Sequence, residues 1–183
     1  MSIAVFGIDL AGIASMQKVV AVSNMHAKNV SIATHIAESW LDMLSADSAQ
    51  WNKPSPAKSA ADRGTDTAWF TTVLSNPTTG TGWVTPPYSA NFGFGPYFDA
   101  LGNPQSTATG ATFCTNLRLS WLYPENGGNG LVRAEVRVYW LCDGQTSPST
   151  ATEVCAENPT VITANTGRFH FVQKVTAVRQ GGT

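Results

Sequence analysis

Side chains able to do chemistry are few in this 183-residue sequence: three cysteines, three histidines and twelve carboxylates. Their spacing limits what they can do. His26 and His35 lie nine positions apart in a helical stretch, which at about 100° per residue points them to opposite sides, so they cannot share a metal ion. His170 falls on the expected wet side of a strand and reads as a surface residue. No Cys-x-x-Cys pair exists and no histidine lies near a cysteine in sequence, so zinc has no ligand framework. No serine sits in a Gly-x-Ser-x-Gly elbow, and no glycine-rich phosphate loop precedes a helix. Asp62, Asp66 and Asp99, in the irregular segments, suit capping and turn duty better than paired acid-base work. The expectation is a protein that is no enzyme, with no catalytic residue, metal, cofactor or small-molecule substrate.

The cysteines have a structural use instead. Cys114, Cys142 and Cys155 allow three single pairings, and the sequence does not choose among them outright. A bridge between Cys142 and Cys155 would pin the loop 143–154, with Gly144 and Pro148 inside it, and contribute about 3 kcal/mol in a chain-entropy estimate. That pair is the one favoured here; three inert thiols are the alternative. Residues 76–105 hold the other concentration of interest. Trp83, Tyr88, Phe92, Phe94 and Tyr97 are framed by glycine and proline, which permits a partner-binding loop. Rings that fold down and complete a core are the favoured alternative.

The elements that must position these groups are read from periodicity. Residues 1–52 contain no proline and form one long helix with two kinds of surface. In 1–22 the apolar residues Ile3, Val5, Phe6, Ile8, Leu10, Ile13, Met16 and Val20 surround the axis, with Gly12 and Gly7 among them. That composition suits a bilayer or a bundle of helices. The stretch approaches the 20 or so apolar residues that span a membrane, but Asp9 inside it costs about 2.5–3.5 kcal/mol at mid-bilayer. In 23–52 the stripe narrows to Met25, Ile32, Ile36, Trp40, Met43 and Leu44, so this half is expected to pack on a folded body. Pro54 and Pro56 end the helix.

Residues 53–183 then form the head. Segment 53–112 is irregular, broken by proline and glycine but too aromatic for a disordered linker. From 113 the period becomes two. Phe113, Leu117, Leu119 and Trp121 alternate with Asn116, Arg118 and Ser120, and the run YPENGGNG supplies a hairpin turn. Val132, Ala134, Val136, Val138 and Trp140 face one way, while Arg133, Glu135, Arg137 and Tyr139 face a wet side. A third strand over 167–179 sets Phe169, Phe171, Val175 and Ala177 against Arg168, His170, Lys174 and Thr176. Charged residues make up 13% of the chain and the net charge is -1, which leaves no basic field for nucleic acid. Uncharged polar residues carry the solubility, a composition typical outside the cytoplasm.

The local residues narrow this layout. The run Ile8-Asp9-Leu10-Ala11-Gly12-Ile13-Ala14-Ser15-Met16-Gln17 resembles the I-G-L-L-G-L-A-x-x-Q pattern of the type IV pilus minor pilins called pilus modification proteins (PilV-type). Ala33-Thr34-His35-Ile36-Ala37-Glu38, leading on to Asp47 and Gln50-Trp51, resembles the same family's A-x-x-L-A segment and helix end. The runs LVRAEVRVYW and FVQKVTAVR are similar to its closing strands. Residues 52–112 carry no resemblance. The family's basic leader, cleavage-site glycine, aromatic first residue and early glutamate have no counterpart among the first residues, which correspond to the inside of its apolar helix. Asp9 stands where that family usually has glycine.

The resemblance implies an α+β fold of the type IV pilin kind, one long N-terminal α-helix packed on an antiparallel sheet of three to four strands. It implies a minor pilin that helps initiate or cap a pilus, with other minor pilins and the major pilin as partners. The helix would sit in the bacterial inner membrane with the head in the periplasm before assembly, and the subunit in the extracellular pilus afterwards. The alternatives are a type II secretion pseudopilin of the same architecture and a pilus-tip adhesin that uses the 76–105 loop.

Overall fold

The computed structural model describes residues 2–50, 67–70, 82–123, 130–147 and 153–179, with side chains from Met16 onward. The chain divides into two compact units, Met1–Ile32 and Ala33–Thr183. A single helix, α1 (Ser2–Ser48), contributes to both. Its end falls a few residues before the expected one, with Gln50 N–H bonded to the Asp47 carbonyl in the closing turn.

In the second unit the helix is packed on a five-stranded antiparallel sheet ordered β2-β1-β3-β4-β5. The long strands are β3 (Phe113–Tyr123), β4 (Leu131–Leu141) and β5 (Phe169–Arg179), where period-two patterning placed them. The extra strands, β1 (Tyr97–Phe98) and β2 (Pro104–Gln105), come from the segment expected to be irregular. Two residues are too few for a periodic signal, and β1 forms by pairing with Phe113 and Cys114 at the start of β3. Proline is tolerated in β2 because that strand is an edge.

One face of the sheet meets the helix. It carries Phe113, Leu117 and Leu119 of β3 and Val132, Ala134, Val136, Val138 and Trp140 of β4, all buried. From α1 the buried stripe is Ala33, Ile36, Ala37, Trp40, Leu44 and Asp47, at the three- and four-residue spacing of one helix face. Met43 is half-buried at its margin, and Ile32, in the first unit, is half-buried too. Met25, expected in this stripe, keeps 46% of its surface exposed and lies in the first unit. The correction has a simple cause: burial begins where alanines at 33 and 37 let the helix approach closely, and periodicity does not weigh alanine as a core residue.

The phase of β5 differs from expectation. Its register pairs Val138 with Val172, Val136 with Lys174, Ala134 with Thr176 and Val132 with Val178. The even-numbered residues therefore share the helix-covered face, and Lys174 reaches Glu38 of α1 at 3.3 Å. His170 is accordingly not on the wet side: it pairs with Trp140 and lies against that ring at 5.3 Å between centroids. Val175 and Ala177 are exposed on the opposite face. An edge strand has a neighbour on one side only, so long polar side chains at its margin can reach water from a covered face.

The opposite face is not wet throughout. Residues 153–168 fold back over its upper end with a short helix, α2 (Pro159–Ala164), capped by Asn158, whose side chain accepts from Thr160 N–H at 2.9 Å. Proline at the first helical position has no hydrogen to leave unpaired. Tyr139, Cys114, Cys155, Ile162 and Phe169 make a second core there, with Tyr97, Leu141, Val154 and Phe171 packed around it. Tyr139, Arg137 and Glu135, expected to face water, are buried.

Candidate functional site

Among the described side chains of the first helical unit, from Met16 onward, none belongs to the buried core. Met16, Val19, Val20, Val22, Met25 and Val30 are all exposed. Met16, Gln17, Val20, Ala21 and Asn24 line a shallow apolar groove along it. Ile3, Val5, Phe6, Ile8, Leu10, Gly12 and Ile13 belong to the same helix, but their side chains lie outside the described residues. Among the described residues no helix is long and apolar enough to cross a membrane.

At the other end of α1, Asp47 is fully buried and accepts three backbone N–H groups, from Ala68 at 2.6 Å, Trp69 at 2.9 Å and Phe70 at 3.1 Å. A carboxylate at a helix end here does for a neighbouring segment what a cap does for its own helix. The segment it holds delivers Trp69, whose indole N–H donates to the Pro87 carbonyl at 3.0 Å. Trp69 meets Trp40 edge-on at 5.2 Å, and Phe94 meets Trp40 at 4.9 Å and Phe98 at 5.4 Å. These offset contacts suit the ring quadrupoles.

That nest decides the fate of the expected partner-binding loop. Phe94 is core, and Trp83 and Tyr97 are half-buried. Tyr88 and Phe92 remain exposed, in a turn closed by paired bonds between Ser89 and Phe94. Glycine is required twice here. Gly93 has a φ of 59°, and a Cβ on Gly95 would come within 2.6 Å of the Tyr88 ring.

The disulfide joins Cys114 to Cys155, and Cys142 is free and half-buried. The pairing favoured from sequence, Cys142 with Cys155, is therefore corrected. Cys114 lies opposite Tyr139 on the second-core face, while Cys142 has passed the end of β4 and its N–H bonds to Arg168. Proximity across strands outweighed proximity along the chain.

The densest polar constellation was missed as a unit. Across the sheet run the rows Asn116, Arg137, Gln173, then Arg118, Glu135, Val175, then Ser120, Arg133, Ala177. Glu135 accepts from Arg118 at 2.5 and 3.0 Å and from Arg133 at 2.9 Å. The Arg118 hydrogen bond, helped by the charges of Arg118 and Arg133, holds the Glu135 carboxyl below its usual range against the opposing effect of burial. Arg137 donates to Asn116 Oδ1 at 2.8 Å and Thr163 Oγ1 at 3.1 Å. Its guanidinium lies 4.5 Å from the Trp83 ring, which Arg118 also approaches at 4.7 Å. Arg137 is only 5% exposed, and among the described residues its Nε has no hydrogen-bond partner. Burial lowers Arg137 to about 10, with Tyr139 opposing and Arg118 adding to the shift. The alternation of β4 showed these residues sharing a face; that Trp83 would lie over them depends on a bridge between Val84 and Leu117, for which the sequence has no signal.

Among the described residues no cluster of His, Cys, Asp and Glu is placed to hold a metal ion. Compared with family models, curated proteins and solved structures, the chain matches none.

Proposed function

We propose that this chain is a minor pilin, an assembly subunit that joins a complex of related subunits and helps initiate or cap a type IV pilus. The observation that carries the reading is the contrast within one 47-residue helix. Its second half buries a stripe in the core beside the sheet, while Met16, Val19, Val20, Val22 and Met25 are exposed. Exposed apolar surface of that extent favours association with lipid or with other helices. In this role the first half of α1 rests in the inner membrane and then packs among neighbouring subunits, with other minor pilins and the major pilin as partners. The head is periplasmic before assembly and lies on the filament afterwards. A disulfide in the head suits such an oxidising compartment.

Purification of the tagged full-length protein from the membranes of its native host tests the proposal. Other minor pilins are expected to co-purify, and deletion of the gene is expected to reduce surface filaments. Recovery of secretion pseudopilins instead, or unchanged filaments with no small pilin-like partner, overturns it. The exposure of Tyr88 and Phe92 favours a second reading, adhesion through that turn; loss of surface binding on replacing both rings, with filaments intact, would support it.

A further inference from the structure

We infer that β5 accepts a strand from another protein: an extended, uncharged segment of a partner adds beside it and lengthens the five-stranded sheet. β5 pairs only with β4 and so forms one edge of the sheet. In an antiparallel ladder the backbone groups of successive residues point alternately to the two sides. Just past the end of β4, Cys142 N–H donates to the Arg168 carbonyl at 2.9 Å, continuing the register that pairs Trp140 with His170. Leu117, opposite Val136, exchanges both its backbone bonds with Val84, on the side away from β4. Both observations give the same parity. The even-numbered residues of β5 bond to β4, and the N–H and C=O groups of Gln173, Val175 and Ala177 point outward. Those three residues are exposed, and among the described residues their outward groups have no hydrogen-bond partner.

Native sheets commonly guard such an edge with a bulge, a proline or a projecting charge. In β5 the register runs unbroken from Phe169 to Arg179 without proline, and Lys174 is drawn across the covered face to Glu38 at 3.3 Å. A row of open donors and acceptors at the strand repeat is matched by an extended backbone. The rest of the molecule decides which chain supplies it. The opposite edge, β2, is two residues long and begins with Pro104, which has no N–H, so a second copy cannot continue the sheet head to tail. Two copies joined through β5 would be related by a two-fold axis, with their strands antiparallel and the α1 helices that cover the two sheets running in opposite directions. Subunits held in one membrane by the start of α1 do not allow this, so the choice of a different protein over a second copy rests on the minor-pilin reading. Flanking side chains set the composition of the added strand. Val175, 48% exposed, and Ala177 border it on one face, where β-branched apolar residues fit. Thr176 and the mutually neutralised Lys174 and Glu38 border it on the other, where threonine fits.

The test uses the full-length protein in detergent micelles and a fluorescein-labelled peptide of alternating Thr and Val with a lysine at each end. Anisotropy should show saturable binding that changes little with salt. The same peptide with two adjacent prolines at its centre, which block both of its edges, should not bind. Hydrogen exchange on the unaltered protein should find the amides of Gln173, Val175 and Ala177 fast without peptide and slowed by it, while those of Lys174 and Thr176 stay slow throughout. Val175→Pro removes an outward N–H and no bond to β4, so binding should weaken at least about tenfold with unchanged circular dichroism. Val175→Thr, which keeps the backbone, should bind within about threefold of the parent. If Val175→Pro unfolds the head, the exchange pattern of the unaltered protein decides. Absence of binding, equal binding of the proline-bearing peptide, or slowing spread evenly over odd and even amides overturns the inference. A sedimentation-equilibrium dimer that Val175→Pro dissolves overturns it too, since the edge then serves a second copy. None of these outcomes depends on which proteins co-purify from the host, and that result judges the minor-pilin reading separately.

Discussion

At the residue scale, two carboxylates organise more of the head than their number suggests. Asp47 satisfies three N–H groups that would otherwise be buried without acceptors. Asp47→Ala should therefore destabilise the protein by about 3 kcal/mol, the range for losing charge-assisted bonds and leaving donors unpaired. Urea unfolding followed by tryptophan fluorescence measures this, and Asp47→Asn, which keeps one acceptor oxygen, should recover part of the loss. Glu135 makes a pH-dependent contribution. Its folded value lies below the ordinary 4.5, so the stabilisation is fully present above that pH and is lost as pH falls through the lowered folded-state value. The drop in unfolding midpoint between neutral and acidic pH should accordingly be smaller in Glu135→Gln than in the parent. Of these two roles, that of Glu135 was half legible, because strand alternation put it among arginines. That of Asp47 was hidden, since its acceptor duty depends on backbone some twenty residues away in sequence.

At the element scale, the closing strands were legible to within a residue or two because an alternation of eleven residues has few competing readings. The phase of β5 was not. Phe169, Phe171, Val175 and Ala177 do share a face, but it is the face of Glu135 and Arg137 and not the one beneath the helix. Two of those apolar residues serve the second core and two remain exposed. Period identifies which residues lie together; it does not tell which side is covered when both carry cover. The same second layer explains the cysteines. The bridge between Cys114 and Cys155 spans 41 residues of chain and ties the 153–168 segment to β3. Cys155→Ser should lower stability by about 4 kcal/mol on a chain-entropy estimate, whereas Cys142→Ser should leave the unfolding midpoint unchanged. Peptide mapping under non-reducing conditions should recover the 114 and 155 peptides as one linked species.

At the scale of the whole molecule, the helix was legible as one element with two surfaces, and the place where burial starts was legible only approximately. Ala33 and Ala37 occupy the stripe that large residues were expected to extend back to Met25. The exposed first half supplies its own test. Val20→Glu puts a charge where apolar neighbours are proposed to lie, at a penalty of about 2.5–3.5 kcal/mol if that surface is lipid-buried, equivalent to roughly a 100-fold loss of association. Membrane flotation of the variant should show that loss, while the head's unfolding in urea stays as in the parent.

The reach of Asp47 also sets the timing of local opening. The three amides should exchange with deuterium only when the last turn of α1 frays, since one carboxylate secures them all. A stretch that looks like loose connection thereby shares the protection of the helix end. The tryptophan it carries would then report, by its emission, whether that turn is closed.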